Sequence, residues 1–234
     1  MSTIAVMEDA LLLREYVARN SEDAFRELVN RHLDLVYATA LRQVCCTHLA
    51  EDVCQAVFIA LAQKAHSFSQ DVILEGWLFR ATRFVATNAL RTERRYQHKI
   101  QEASRMQIQT DTDIDQNTWE QIVPILNETM GKLGEKDRNA VLLRFFKQQP
   151  FRQVAQRLGT TEDAAKKRVA RALKSLAHLM AQRGVAVPAT VLAATISANA
   201  ANSAPVGLAL SVVSIAASRG VVASGSILTL KKGT

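Results

Sequence analysis

Residues 159–176 read GTTEDAAKKRVARALKSL. The stretch opens on Gly-Thr-Thr, passes two acids, and carries Lys166, Lys167, Arg168, Arg171 and Lys174 within a few turns. Residues 151–158, just before it, have the length and pattern of a short helix. Gly159 takes a positive φ at little steric cost, and Thr161 is placed to cap a helix starting at Glu162. A short helix, a glycine turn and a longer helix form the helix–turn–helix layout. On the second helix Ala165, Val169, Ala172, Leu176 and Met180 recur every three or four residues. They predict a buried stripe against which Val154 and Leu158 pack. Lys167, Arg168, Arg171 and Lys174 then point away from it, while Thr160, Thr161, Glu162 and Lys166 occupy the N-terminal end, which enters a DNA groove first. Such cations form either the solvated face of a helical hairpin or the reading face of a DNA-binding helix. The glycine turn, the cap and the one-sided stripe together favour DNA, where long cations reach phosphates and guanine edges.

Outward from this motif the chain reads as all-α. Only 4 Pro and 9 Gly occur among 234 residues, and no period-two runs predict strands. Phe25, Leu28, Val29, Leu33 and Val36 fall at helical spacing behind Ser21, a good N-cap. A second helix spans about 49–64, with Val53, Ala56, Val57, Ala60 and Leu61 inward. Residues 67–75 read as a loop, and a third helix runs from near Gly76 through Arg95. Residues 101–118 (QEASRMQIQTDTDIDQNT) are polar and acidic and read as a flexible linker. Helical pattern resumes at Trp119, passes Ile122, Ile125, Leu126 and Met130, and is broken at Gln148-Gln149-Pro150. The expected organisation is two small helical domains, 9–100 and 119–184, joined by the linker 101–118, with a charge-poor, small-residue helical extension over 185–234.

The net charge of +7 hides a pattern. Residues 1–75 carry a net −5, 76–105 a net +5, 106–120 four acids and no base, and 121–184 a net +8. Two basic blocks separated by an acidic stretch point to two separate contacts with a polyanion, most simply nucleic acid. The opposite signs of the first and last blocks also favour a compact form, though exposed charges are screened beyond about 8–10 Å. Three cysteines, Cys45, Cys46 and Cys54, form no framework of paired disulfides and fit a reducing cytoplasm. Cys45-Cys46 beside His48 lacks the second pair that a four-ligand metal site needs, so these cysteines are expected to be buried small residues, with no metal and no cofactor. The first residues lack the basic start and unbroken apolar core of a signal peptide.

Three segments, in order, carry a resemblance: DAFRELVNRHLDLVYATA with AEDVCQAVF, then GWLFRATRFVATNALRTERR, then LGTTEDAAKKRVARAL. Over about residues 9–183 the chain resembles a bacterial RNA polymerase sigma factor of the extracytoplasmic-function type. The resemblance implies a region 2-like bundle and a region 4-like helix–turn–helix. It further implies that Asp52, Gln55 and Phe58 dock on the clamp helices of core RNA polymerase, although Phe58 reads equally well as core. Ala56 stands where the family usually has an acid. In the minus-ten reader, Ser67, Phe68, Ser69, Gln70 and Asp71 would form the loop that receives a flipped base. Arg80, Arg83, Arg91, Arg94 and Arg95 would track phosphates. Trp77 reads as core rather than as a stacking platform, and Phe84 replaces an Asn of many relatives. The minus-thirty-five reader would be Thr160, Thr161, Glu162, Lys166, Lys167, Arg168, Arg171 and Lys174.

No phosphate-binding glycine loop, nucleophile elbow or ligand cluster is present in the sequence, which speaks against an enzyme. The expected function is therefore a cytoplasmic promoter-recognition subunit with core polymerase, promoter DNA and an anti-sigma or other regulator as partners. The competing reading is a stand-alone helix–turn–helix regulator that binds duplex DNA without polymerase. Residues 185–218 hold no Asp, Glu, Lys or Arg, but Asn199, Asn202, Pro205 and Gly207 interrupt them. A membrane span needs about twenty unbroken apolar residues. The extension is expected to form one or two small-residue helices that pack on the two domains or a partner, with membrane contact as the alternative. A regulatory role, holding the factor inactive, is expected of it.

Overall fold

The computed structural model describes residues 8–69, 72–103, 118–199 and 203–220. Among the described residues there are ten α-helices and no strand. The first layer holds α1 (Asp9–Arg19), α2 (Glu22–Val44), α3 (Thr47–Lys64), a 3₁₀ turn (Ala65–Ser67) and α4 (Leu74–Ala103). The second holds α5 (Thr118–Lys132), α6 (Glu135–Val141) running into a π turn (Leu142–Phe146), α7 (Phe151–Arg157) and α8 (Glu162–Ala181). The extension contributes α9 (Ala189–Asn199) and α10 (Leu208–Gly220).

Local chemistry sets the ends. The Ser21 hydroxyl accepts from the Ala24 N–H at 3.3 Å, and Glu22 and Asp23 add negative charge to the positive end of α2. That helix stops at Cys45, which adopts the left-handed conformation (φ 52°), and Cys46 opens α3. The tight turn leaves Cys45 and Cys46 exposed, against the expectation that they are buried; Cys54, on the inner face of α3, is buried. Two further differences concern α3 and α4. Ala56 lies on the exposed side of α3. Helix α4 starts at Leu74 and continues through Ala103, so Glu75 is helical and buried rather than part of a loop, and the stretch from Gln101 begins as helix. The rest of the expected linker, 104–117, as well as Gln70, Asp71 and 221–234, lie outside the described residues.

Each layer has an apolar core. In the first, Phe25, Leu28, Val36, Val57, Phe58, Leu61 and Leu78 of α2, α3 and α4 meet. In the second, Ile122, Leu126, Met130, Leu142, Val169, Ala172, Leu176 and Met180 meet. The layers are not separate: Leu35 of α2 and Phe79 of α4 are buried in the second core. Gly76 lets α4 approach α6 closely, since a Cβ there would fall 2.1 Å from Asn139 Oδ1. A polar seam runs beside these contacts. Asn127 donates to the Thr39 carbonyl at 2.7 Å, and buried Arg42 donates to Asn127 and Thr39 and stacks over Phe146. Burial pushes the Arg42 guanidinium down to about 10.

The extension packs on both layers. Leu192 and Ile196 of α9 enter the second core, and Leu208, Val212, Val213 and Ala216 of α10 enter the first. Its helices are 11 and 13 residues long, and no helix among the described residues is long and apolar enough to cross a membrane.

Candidate nucleic-acid and polymerase interface

The helix–turn–helix forms as its residues dictate. Gly159 sits at φ 60°, the Thr160 N–H returns to the Ala155 carbonyl at 2.9 Å, and the Thr161 hydroxyl accepts from the Ala164 N–H at 3.3 Å. Ala165, Val169, Ala172, Leu176 and Met180 are all buried, as is Val154, with Leu158 half-buried against them. Thr161, Glu162, Lys166, Lys167, Arg171 and Lys174 are exposed on the opposite side, and Thr160 is half-buried at the turn. Glu162 holds the Lys166 ammonium at 2.8 Å and pushes its pKa up. One partner was not foreseen: Asp137, in the first turn of α6, accepts from Arg168 at 3.1 Å and Arg171 at 3.2 Å. A single carboxylate thus holds two guanidinia of α8 side by side. The only sequence sign of it is an acidic first turn, Glu135 and Asp137, ahead of a basic helix.

The expected minus-ten residues divide into two sets. Ser67 and Ser69 are exposed around half-buried Phe68, whose ring meets Trp77 edge-on at 5.1 Å. Arg80, Arg91, Arg94 and Arg95 are exposed along α4. Arg83 differs: it turns into the seam, where burial lowers its pKa, and it fills the space that a Cβ on Gly131 would need. Phe84 is 68% exposed, unusual for so large an apolar side chain. Arg80, Phe84, Asn88, Arg91 and Arg95 follow one another at steps of four, four, three and four, and all are exposed, so they share one face of α4. The step of four from Arg80 to Phe84 was legible, but it had no meaning until the face was known to be open.

On α3, Asp52 is exposed, Gln55 half-buried and Phe58 fully buried in the first core. Only the first two reach the surface. The Gln55 amide donates to the Ser211 hydroxyl of α10 at 3.5 Å.

A cleft of about 1690 Å³ between the layers is lined by Ser67, Phe68 and Arg80 on one side and Thr160, Arg168 and Arg171 on the other; Arg91, Arg94 and Arg95 of α4 and Lys166, Lys167 and Lys174 of α8 do not line it. Its floor is an ionic cluster. Asp9, His32 and Glu75 are buried with ligand atoms within 4.8 Å of one another. Arginines neutralise the carboxylates: Arg157 of α7 reaches Glu75 at 2.9 Å and Asp9 at 3.8 Å, and Arg31 reaches Asp9 at 3.2 Å. Burial alone would raise the Asp9 pKa, but the hydrogen bond from His32 at 2.9 Å, the His32 ring and the Arg157 and Arg31 charges outweigh it. They hold its carboxyl well below the usual range. With the negative charge met by guanidinia, the cluster is built as a salt-bridge network between α1, α2, α4 and α7.

The fold thus holds two helical parts, each with basic side chains on an exposed helix face, and comparison with known proteins places both parts in one family. The family model Sigma-70 region 2 matches residues 28–96, and Sigma-70, region 4 matches residues 125–176. The chain belongs to the sigma-70 family of RNA polymerase sigma factors, with the two-region layout of the extracytoplasmic-function type. It is 28% identical over 207 residues to the probable RNA polymerase sigma factor RfaY of Xanthomonas campestris pv. campestris, covering 81% of this chain and 52% of that protein. The chain therefore spans about half the length of that relative. Among solved structures, CnrH in complex with the cytosolic domain of CnrY is 21% identical with a TM-score of 0.38, covering 74% of this chain and 97% of that one. The sigma factor RpoE in complex with the anti-sigma factor NepR from Bartonella quintana is 20% identical with a TM-score of 0.31, covering 67% and 96%.

Proposed function

We propose that this chain binds core RNA polymerase through the α3 face carrying Asp52 and Gln55, and directs initiation at promoters with separate minus-ten and minus-thirty-five elements. The observation that supports it most is the pairing of two family regions, in order, each with an exposed basic reading face: α4 in the first and α8 in the second. Helix α8 presents Lys166, Lys167, Arg171 and Lys174 beyond a glycine turn and a threonine cap, the geometry of a major-groove reader. Ahead of α4, the Ser67–Phe68–Ser69 stretch would receive an unpaired base. Phe84, among Arg80, Arg91 and Arg95, offers a π-face to a neighbouring one. Promoter DNA and core polymerase are the proposed partners, with a dissociable anti-sigma regulator as a third.

Transcription from a randomised promoter library with core polymerase, with and without the chain, tests this. The expected result is transcripts only when the chain is present, starting downstream of two enriched sequence blocks. Binding to duplex DNA without polymerase, with no chain-dependent transcripts, would instead establish a stand-alone regulator.

A further inference from the structure

The proposed polymerase face already has an occupant. Leu208, Val212 and Ala216 recur every four residues on α10 and, with Val213, are at most 6% exposed, forming one apolar stripe. The stripe lies on α2 and α3 and joins the first core. Two polar contacts fix it in place. The Asp34 carboxylate on α2 accepts from the Ala204 N–H at 2.9 Å just ahead of the helix, and Gln55 on α3 donates to Ser211 in its middle. Gln55 is the same side chain that the sequence marks for polymerase. The outer side of α10 is less well covered, with Leu210 68% exposed and Ser214 exposed. Helix α9 meanwhile is anchored in the second layer through Leu192 and Ile196, so the extension ties the two layers together.

Resting on the polymerase-binding reading above, we propose that α10 is an in-cis occupant of the α2–α3 docking face, and that polymerase and α10 compete for it. The occupant is committed by the contacts: a small-residue helix of this chain, with a hydroxyl opposite Gln55 and a backbone N–H opposite Asp34. Competition of this kind lowers apparent affinity by the fraction of molecules whose face is open. Lifting α10 then raises affinity without any new contact to polymerase.

Two full-length variants test it against core polymerase. Val212→Glu places a charge in the stripe and drives α10 off. Asp34→Cys with Ala204→Cys, bridged by a short thiol crosslinker with Cys45 and Cys46 replaced, pins the start of α10 to α2. Amide exchange over 204–216 reads the release of α10 without polymerase. The proposal expects faster exchange and about tenfold or tighter polymerase binding for Val212→Glu, and lost binding for the crosslinked chain that returns when the crosslinker is omitted. Equal binding by wild type, Val212→Glu and the crosslinked chain overturns the proposal and leaves the sigma reading standing. Faster exchange in Val212→Glu with no polymerase binding by any form overturns both. If Val212→Glu fails to fold, the crosslinked chain alone decides.

Discussion

Replacing Arg157 by Ala isolates one of the contacts that hold the two layers together. Arg157, at the end of α7, is the cation reaching Glu75 at 2.9 Å, and the Glu75 side chain is 1% exposed. At about 4 Å and an effective dielectric of about 20 the gross attraction is about 4 kcal/mol. Removing one partner of a fully buried pair costs about 3–5 kcal/mol, chiefly because a charge is left buried and unpaired. Two features reduce that here. Arg157 keeps 28% of its side chain exposed, and Lys147 of the second layer also feels the Glu75 charge. The expected loss is about 2 kcal/mol, or about 4–8 °C in melting temperature for a chain of this size. Urea denaturation of Arg157→Ala, Glu75→Gln and the double variant gives the coupling, expected at about 1–2 kcal/mol. Small-angle scattering gives the second readout, since a compact chain of this length has a radius of gyration of about 17–18 Å and Arg157→Ala is expected to exceed wild type. Costs that add to within about 0.5 kcal/mol, with an unchanged radius, would refute the latch.

Arg171→Ala is expected to weaken minus-thirty-five recognition by about 1–3 kcal/mol if the guanidinium reads a base edge. If it meets a phosphate instead, the loss is smaller and uniform across sequences and the salt slope falls by about 1; binding assays on matched and mutated elements separate the two. Phe84→Ala is expected to weaken binding of single-stranded minus-ten DNA by about 1–3 kcal/mol with an unchanged melting temperature, and Phe84→Trp to retain binding; an unchanged single-strand affinity in Phe84→Ala would remove its stacking role. Folded Asp9 is held below its unfolded value of about 3.9, so its contribution to stability is full above that pH and is lost as pH falls below it. Urea midpoints between pH 5 and 2.5 should therefore fall more steeply in wild type than in Asp9→Asn.

The recognition helix was the most legible part, because a glycine at φ 60°, a threonine cap and a five-residue apolar stripe are all local decisions. The same holds for α2 behind Ser21, whereas the sequence left open whether the extension forms one helix or two, and the structure has two. The exposure of Cys45 and Cys46 was missed for a local reason, the left-handed turn between α2 and α3, but in other misses the deciding contact came from far along the chain. Glu75 looked like a loop acid because its partner, Arg157, lies 82 residues away. Arg83 looked like another phosphate cation because nothing nearby in sequence announces Gly131 as the space it enters. Leu35 and Phe79 fit the periodicity of the first layer, yet they serve the core of the second. Periodicity says that a face is buried; it does not say against what.

If α4 and α8 read promoter DNA as proposed, their placement in the closed chain sets the energetics of the bound state. Arg168 and Arg171 line the cleft together with Ser67 and Arg80, while Lys166, Lys167 and Lys174 are exposed on α8 and do not line it. On the proposed reading, Asp137 competes with DNA for the guanidinia of Arg168 and Arg171. Separating the layers would break the Arg157–Glu75 pair, withdraw Leu35 and Phe79 from the second core, and part layers that α9 and α10 tie together. None of these costs depends on the DNA sequence. They suppress non-specific binding by the free chain as strongly as specific binding. A partner that supplies the opening energy by taking the α2–α3 face from α10 would expose both readers at once. The same chain would then hold a low affinity for bulk DNA and a high affinity for promoters in complex, from one conformational equilibrium.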